Sequence, residues 1–169
     1  MKKAFTLTEL TIVLVLLSIF IGAVFLVFVV QVRTWGSSLN RTMIRQHGHQ
    51  ALNRMVRELN QTNSITSASS GAITFLADLD DNGSDETITL NTSGNSLRRT
   101  EGAVITTLAF NVQSFGLTYR DLNNNILTPP AGTDTQAERD SIKVVVLSFT
   151  MNKADETLNL SSSAYLHNQ

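Results

Sequence analysis

The densest set of chemically capable side chains lies between Asp78 and Glu86, in the string Asp-Leu-Asp-Asp-Asn-Gly-Ser-Asp-Glu. Asp78, Asp80, Asn82, Gly83, Ser84 and Glu86 stand at positions 1, 3, 5, 6, 7 and 9 of a calcium loop of the EF-hand kind. Alternate oxygens in such a loop converge on a cation, and glycine permits the sharp bend. Position 12 is Thr89, so the bidentate glutamate is missing, and a replacement ligand would have to come from elsewhere, for instance the Asp121–Asn125 turn. The same string also reads as an Asn-Gly hairpin turn whose acids serve solubility. Both readings stand at this point: a calcium site on Asp78, Asp80, Asn82, Ser84 and Glu86, or a plain turn.

A second carboxylate is notable for its isolation. Glu9 precedes 23 uncharged residues, 10 to 32, most of them Leu, Ile, Val or Phe, and Arg33 ends the run. At about 1.5 Å per residue a helix of this length spans a hydrocarbon core of ~30 Å. A carboxylate beside lipid is costly unless it reaches the headgroups or finds a partner. Lys2 and Lys3 set the orientation, holding the N-terminus in the cytoplasm and sending the remainder out. An ordinary secretory signal fits poorly, because its apolar core is shorter and ends in a small-x-small site.

Other chemistry fails on inspection. His47 and His49, two apart, point to different sides of a helix. No His-Glu-x-x-His, Gly-x-Ser-x-Gly or phosphate-binding glycine loop occurs, and the chain is not read as an enzyme. Arg98, Arg99 and Arg120 would make a small anion or DNA contact if strand pairing joined them, although scattered surface arginines are the commoner meaning. The formal charge of −1 falls to −3 once Lys2 and Lys3 are removed, which leaves no basic field for nucleic acid. Without cysteine, the 169-residue chain has neither disulfides nor thiolate metal sites.

Positioning these residues requires a long helix and then strands. Past Arg33, the apolar residues Leu39, Met43, Ala51, Met55 and Leu59, flanked by Ile44, Leu52 and Val56, mark one face of a helix reaching Asn63. Arg41, Arg45, Arg54, Arg57 and Glu58 mark a solvated or subunit-facing side. Gly22, Gly36 and Gly48 weaken the helix by about 1 kcal/mol each, and Trp35-Gly36 marks the exit from the bilayer. The segment 64–71 reads as a Ser/Thr-rich loop. Residues 72–77 and 87–91 form a hairpin about the acidic turn, 96–100 a third strand, 108–112 a helical turn and 114–120 a strand with Phe115, Leu117 and Tyr119 on the core side. Asp121–Asn125 is a turn and 129–138 a surface loop; 141–151 is a central strand buried on both faces, and 157–166 closes the chain. The fold class is α+β: a long hydrophobic N-terminal helix, or stalk, followed by an antiparallel β-sheet head packed on the helix's C-terminal half.

The string Lys-Ala-Phe-Thr-Leu-Thr-Glu-Leu before the apolar run resembles the signal of type IV pilins and type II secretion pseudopilins. The resemblance implies a pilin fold, cleavage between Ala4 and Phe5 by a prepilin peptidase, and N-methylation of Phe5. It makes Glu9 the fifth mature residue, which in that family is thought to neutralise the terminal amine of a neighbouring subunit. The implied organisation is a leader 1–4, a membrane and filament-core helix 5–32, an amphipathic continuation 33–63 and a head 64–169. The family usually has Gly before the cut, where this chain has Ala4, and often has a proline where it has Leu26. Met55–Leu59, the acidic turn with the strand after it, Asn95–Arg99 and Phe115–Tyr119 extend the resemblance to W-type minor pilins and J-type pseudopilins.

Implied partners are other pilins through the helix, the prepilin peptidase, an inner-membrane platform and a cytoplasmic assembly ATPase. The implied location is the bacterial inner membrane, then the periplasm or exterior within a filament. The competing expectation is a single-pass anchored extracytoplasmic domain, calcium-binding or not, that does not polymerise.

Overall fold

The computed structural model describes residues 6–129, 133, 135–154 and 156–166. The chain divides into two compact units, Met1–Asn40 and Arg41–Gln169, and one helix, α1 (Leu7–Asn60), contributes to both. With this helix followed by antiparallel sheets, the architecture is α+β as expected.

In the first unit α1 contains a window apolar and long enough to cross a membrane, none of it buried. Every described residue from Thr6 to Phe28 is exposed. The few hydroxyls in the run bond back onto their own helix: Thr11 Oγ1 donates to the Thr8 carbonyl at 2.9 Å, Ser18 Oγ to Val15 at 2.8 Å and Thr34 Oγ1 to Val30 at 2.9 Å. Within residues 10–32 the hydroxyl hydrogens of Thr11 and Ser18 are thus satisfied inside the helix, which suits an apolar environment.

In the second unit α1 meets two sheets. Strands β1 (Ser64–Ala68), β2 (Ala72–Ala77), β3 (Glu86–Ser93), β4 (Ser96–Glu101) and β5 (Val104–Phe110) form an antiparallel meander in chain order. Two-residue loops beginning with Gly94 and Gly102, at φ of 58° and 55°, join β3 to β4 and β4 to β5, and tight hairpins require this left-handed geometry. The second sheet runs β7-β6-β8-β9, from β6 (Val112–Arg120), β7 (Ile126–Leu127), β8 (Val144–Lys153) and β9 (Glu156–Tyr165). Leu117 N–H donates to the Ser70 carbonyl at 2.8 Å and the Tyr119 hydroxyl to Ser69 at 2.7 Å, tying β6 to the β1–β2 link. Burial pushes the Tyr119 hydroxyl pKa well above its ordinary value.

One apolar core joins helix and sheets. From α1 it takes Ile44, Ala51, Leu52, Met55 and Leu59, the i, i+7, i+8, i+11, i+15 stripe of an amphipathic helix. Gly48 completes that stripe. A Cβ there would lie 2.5 Å from Leu160 Cδ1 and 3.1 Å from Met151 Sδ, so the glycine expected to weaken the helix leaves room for side chains of β8 and β9.

Several expectations are corrected. Leu39 and Met43 are exposed, at 51% and 47%, because the buried stripe begins only at Ile44. Glu58 is buried, since it shares that stripe and has a partner on β4. The segment 64–71 contains β1, held by pairing with β2 despite its serines, and 108–112 contains the end of β5 in place of a helical turn. Asn111, at φ 60°, then bends the chain into β6. Strand β8 is central but buried on one face only, with Val145, Leu147, Phe149 and Met151 inward and Val144, Val146, Ser148 and Thr150 outward. The 129–138 stretch, part of it outside the described residues, runs into a short helix α2 (Gln136–Asp140) with a Thr135–Glu138 capping box. Helix α1 ends at Asn60, three residues before the expected Asn63.

Candidate functional site

Ala4 and Phe5, the expected cleavage pair, lie outside the described residues. Glu9 is exposed in the first turn of α1. Its Oε2 accepts from Thr6 N–H at 3.0 Å and Thr6 Oγ1–H at 2.9 Å, while Glu9 N–H points to Thr6 Oγ1 at 3.3 Å. This is a capping box in all but the sharing of the hydroxyl, and it ties down amide donors that a helix N-terminus otherwise leaves open. The Thr6-x-x-Glu9 spacing was a readable signal for it. Glu9 Oε1 has no hydrogen-bond partner among the described residues.

The acidic turn joins β2 to β3 as expected, with Ala77 opposite Glu86. Carboxylate oxygens of Asp78, Asp80 and Glu86 lie within 4.8 Å of one another. Ligands at 2.3–2.6 Å from a calcium ion are separated by at most about 5 Å, so these three fit around one cation. Of the other expected ligands, Asn82 is otherwise engaged. Asn82 Oδ1 accepts from Ser84 N–H at 2.8 Å, and Asn82 Nδ2 donates to Asp80 Oδ2 at 2.9 Å. Asp78 accepts from the amides of Asn82, at 3.1 Å, and Gly83, at 2.8 Å, and Glu86 Oε2 accepts from Leu79 N–H at 2.9 Å, so these acids also build the turn. Thr89 is committed to β3, its hydroxyl 3.0 Å from that of Thr74. The Asp121–Asn125 turn closes on itself: Asn125 N–H and Nδ2 each donate to Asp121 at 2.8 Å, lowering its carboxyl pKa.

The three arginines are not brought together. Arg99 is buried and donates to Glu58 at 2.7 Å and to Glu101 at 2.6 Å, while Arg54 reaches the other Glu58 oxygen at 2.8 Å. Burial opposes the Arg99 charge, but the bonds to Glu101 and Glu58 outweigh it and hold its pKa above the ordinary value. Arg98 and Arg120 stand on different sheets. His47 and His49 are both exposed.

What these features define is a class: an α+β chain with a membrane-length apolar helix toward its N-terminal side and a two-sheet domain on the same helix's second half. No protein-family model and no curated protein matches the chain.

Proposed function

We propose that the chain is a structural subunit of a type IV pilus or type II secretion pseudopilus, a minor subunit of the initiating or tip kind. In this reading it is inserted by α1, cut after Ala4, methylated on Phe5 and packed helix against helix into the filament. The observation that carries the proposal is the apolar surface of α1, exposed throughout its membrane-length window and marked by a single acid, Glu9, in its first turn. Lipid can cover that surface before assembly and sister helices can cover it afterwards. Glu9 gains from the transfer if a cation meets it, because paired charges in an apolar bundle offset a desolvation that either alone would suffer. The acidic turn enters the same proposal as a low-affinity calcium site in the ~10⁻⁴–10⁻³ M class, with three carboxylates and no twelfth-position glutamate.

One observation favours the competing reading, an anchored domain that never polymerises: the Thr6 bonds give Glu9 a local use as a cap. Two substitutions separate the readings. If capping is the whole role, Thr6→Ala and Glu9→Ala have similar small effects, about 1 kcal/mol on the helix terminus, and neither alters association. A filament role makes Glu9→Ala far more severe than Thr6→Ala for incorporation while membrane insertion is kept. Equal incorporation of both variants, or a mature protein that mass spectrometry finds still carrying Met1–Ala4 in a host with the peptidase, overturns the proposal.

A further inference from the structure

The outer face of the second sheet holds a cavity of about 520 Å³, within the size range of small-molecule sites. Strand register determines what lines it. Arg120 pairs with Val144 and Val144 with Tyr165, so these three side chains form one row across β6, β8 and β9; Val146 with Ser163 and Ser148 with Ser161 form the next rows. Opposed residues on one face lie about 5 Å apart. The floor is therefore apolar at half-buried Val144 and Val146, flanked by Tyr165, 60% exposed, on one side and by Arg120 on the other.

Arg120 is aimed. Its Nη1 donates to Asn124 Oδ1 at 3.0 Å and to the Asn124 carbonyl at 3.4 Å, while its Nε and Nη2 have no partner among the described residues. Lys143, whose N–H bonds the Arg120 carbonyl at 2.8 Å, brings a second cation to the wall. The acid in the lining, Asp121, has both oxygens engaged by Asn125.

We propose that this cavity binds an acidic sugar, a pyranose bearing a carboxylate. A bare anion would use the guanidinium and leave the rest idle. A ligand with one carboxylate, several hydroxyls and a flat C–H face uses all of it: the carboxylate on the open edge of Arg120, the hydroxyls on Ser161 and Ser163, and the apolar face over Val144, Val146 and the Tyr165 ring. The inference does not depend on the filament reading, because every residue lining the cavity belongs to the second unit and none to the apolar run of α1.

The test titrates the full-length chain, in detergent micelles or nanodiscs, with a short oligogalacturonate, a matched neutral oligogalactose, acetate and inorganic phosphate. Oligogalacturonate binds saturably, with amide shifts at Ser163 and Tyr165. Arg120→Gln weakens it about tenfold or more, the loss of a charge-assisted bidentate contact. Tyr165→Ala weakens it about fivefold and Tyr165→Phe does not, as a stacking role requires. Arg98→Gln, on the other sheet, leaves binding unchanged. The proposal is overturned by acetate or phosphate binding as tightly as the sugar acid, by the neutral oligosaccharide binding equally well, by indifference of the affinity to Arg120→Gln and Tyr165→Ala in folded variants, or by no saturation below roughly 10 mM.

Discussion

Breaking the Glu58–Arg99 pair from one side and then from both measures what holds the helix to the first sheet. Both side chains are nearly inaccessible, 4% and 5% exposed, and the pair spans α1 and β4. Removing one partner of such a pair strands the other charge in the core and costs about 3–5 kcal/mol. The lower end applies here, because Arg54 still reaches Glu58 after Arg99→Met and Glu101 still reaches Arg99 after Glu58→Leu, both from side chains about 40% exposed. Each single variant is therefore expected to lose about 3 kcal/mol, which for a domain of this size lowers Tm by roughly 10 °C. The double variant Glu58→Leu/Arg99→Met removes both desolvation penalties and should return to within about 1 kcal/mol of the parent or exceed it, the partners left over being surface ions worth little. Urea unfolding of the full chain in micelles, followed by far-ultraviolet circular dichroism, gives all four corners of the cycle. If the two losses simply add, or if each single change costs less than about 0.5 kcal/mol, the charges are not behaving as a desolvated pair and the reasoning is refuted.

Gly48→Ala sets a helix-propensity gain of about 1 kcal/mol against the displacement of Leu160 Cδ1, the far end of a flexible side chain, and should be close to neutral; Gly48→Val cannot fit and should cost about 1–3 kcal/mol, read by the same unfolding curves. Tyr119→Phe leaves the Ser69 carbonyl without its donor and should cost about 1–2 kcal/mol. The Glu156 carboxyl is held below its ordinary value by hydrogen bonds from Arg41 at 2.5 and 3.0 Å. A depressed folded-state pKa contributes stability that is present above the unfolded value and lost as pH falls through the folded one, so the Arg41 contact weakens only in acid below 4.5. NMR titration of the Glu156 side chain checks the direction, and Arg41→Gln should bring the midpoint back up. Calcium titrated to roughly 10 mM should shift amides of residues 78–86 alone, and Asp80→Asn should remove the response; no shift over that range excludes the site.

What the sequence made legible was local. The apolar run, the hairpin about the acidic turn and the inward positions Leu117 and Tyr119 announce themselves within a few residues, and each is found where it was expected. What it concealed was decided by partners far along the chain. Glu58 looks like one more charge on a charged helix face, and only Arg99, 41 residues later and on a strand, explains its burial. Ser64–Ala68 has the composition of a loop and becomes a strand because β2 supplies the pairing, while Gln136 and Arg139, 71 and 74 positions later, donate to the Ile65 carbonyl. Gly48 carries the cost of a helix breaker locally and the benefit of a close approach only once β9 is present. Arg120 and Tyr165, 45 positions apart, become neighbours of one cavity through the register of two strand pairs.

In the proposed filament, Glu9 would combine a local and an intermolecular role in one carboxylate. Both bonds from Thr6 fall on Oε2, and Oε1 is left open. The cap therefore does not compete with an incoming cation for the same oxygen; it holds the side chain folded back toward the start of the helix. A carboxylate already fixed at that place loses less side-chain freedom when a partner's ammonium arrives than one sampling all its rotamers. In the proposed filament the capping box would supply the preorganisation that a buried charge pair needs if its attraction is to exceed the desolvation of both ions. In that filament Thr6 would be a positioning residue for Glu9, and its loss should weaken association less than the loss of Glu9 itself.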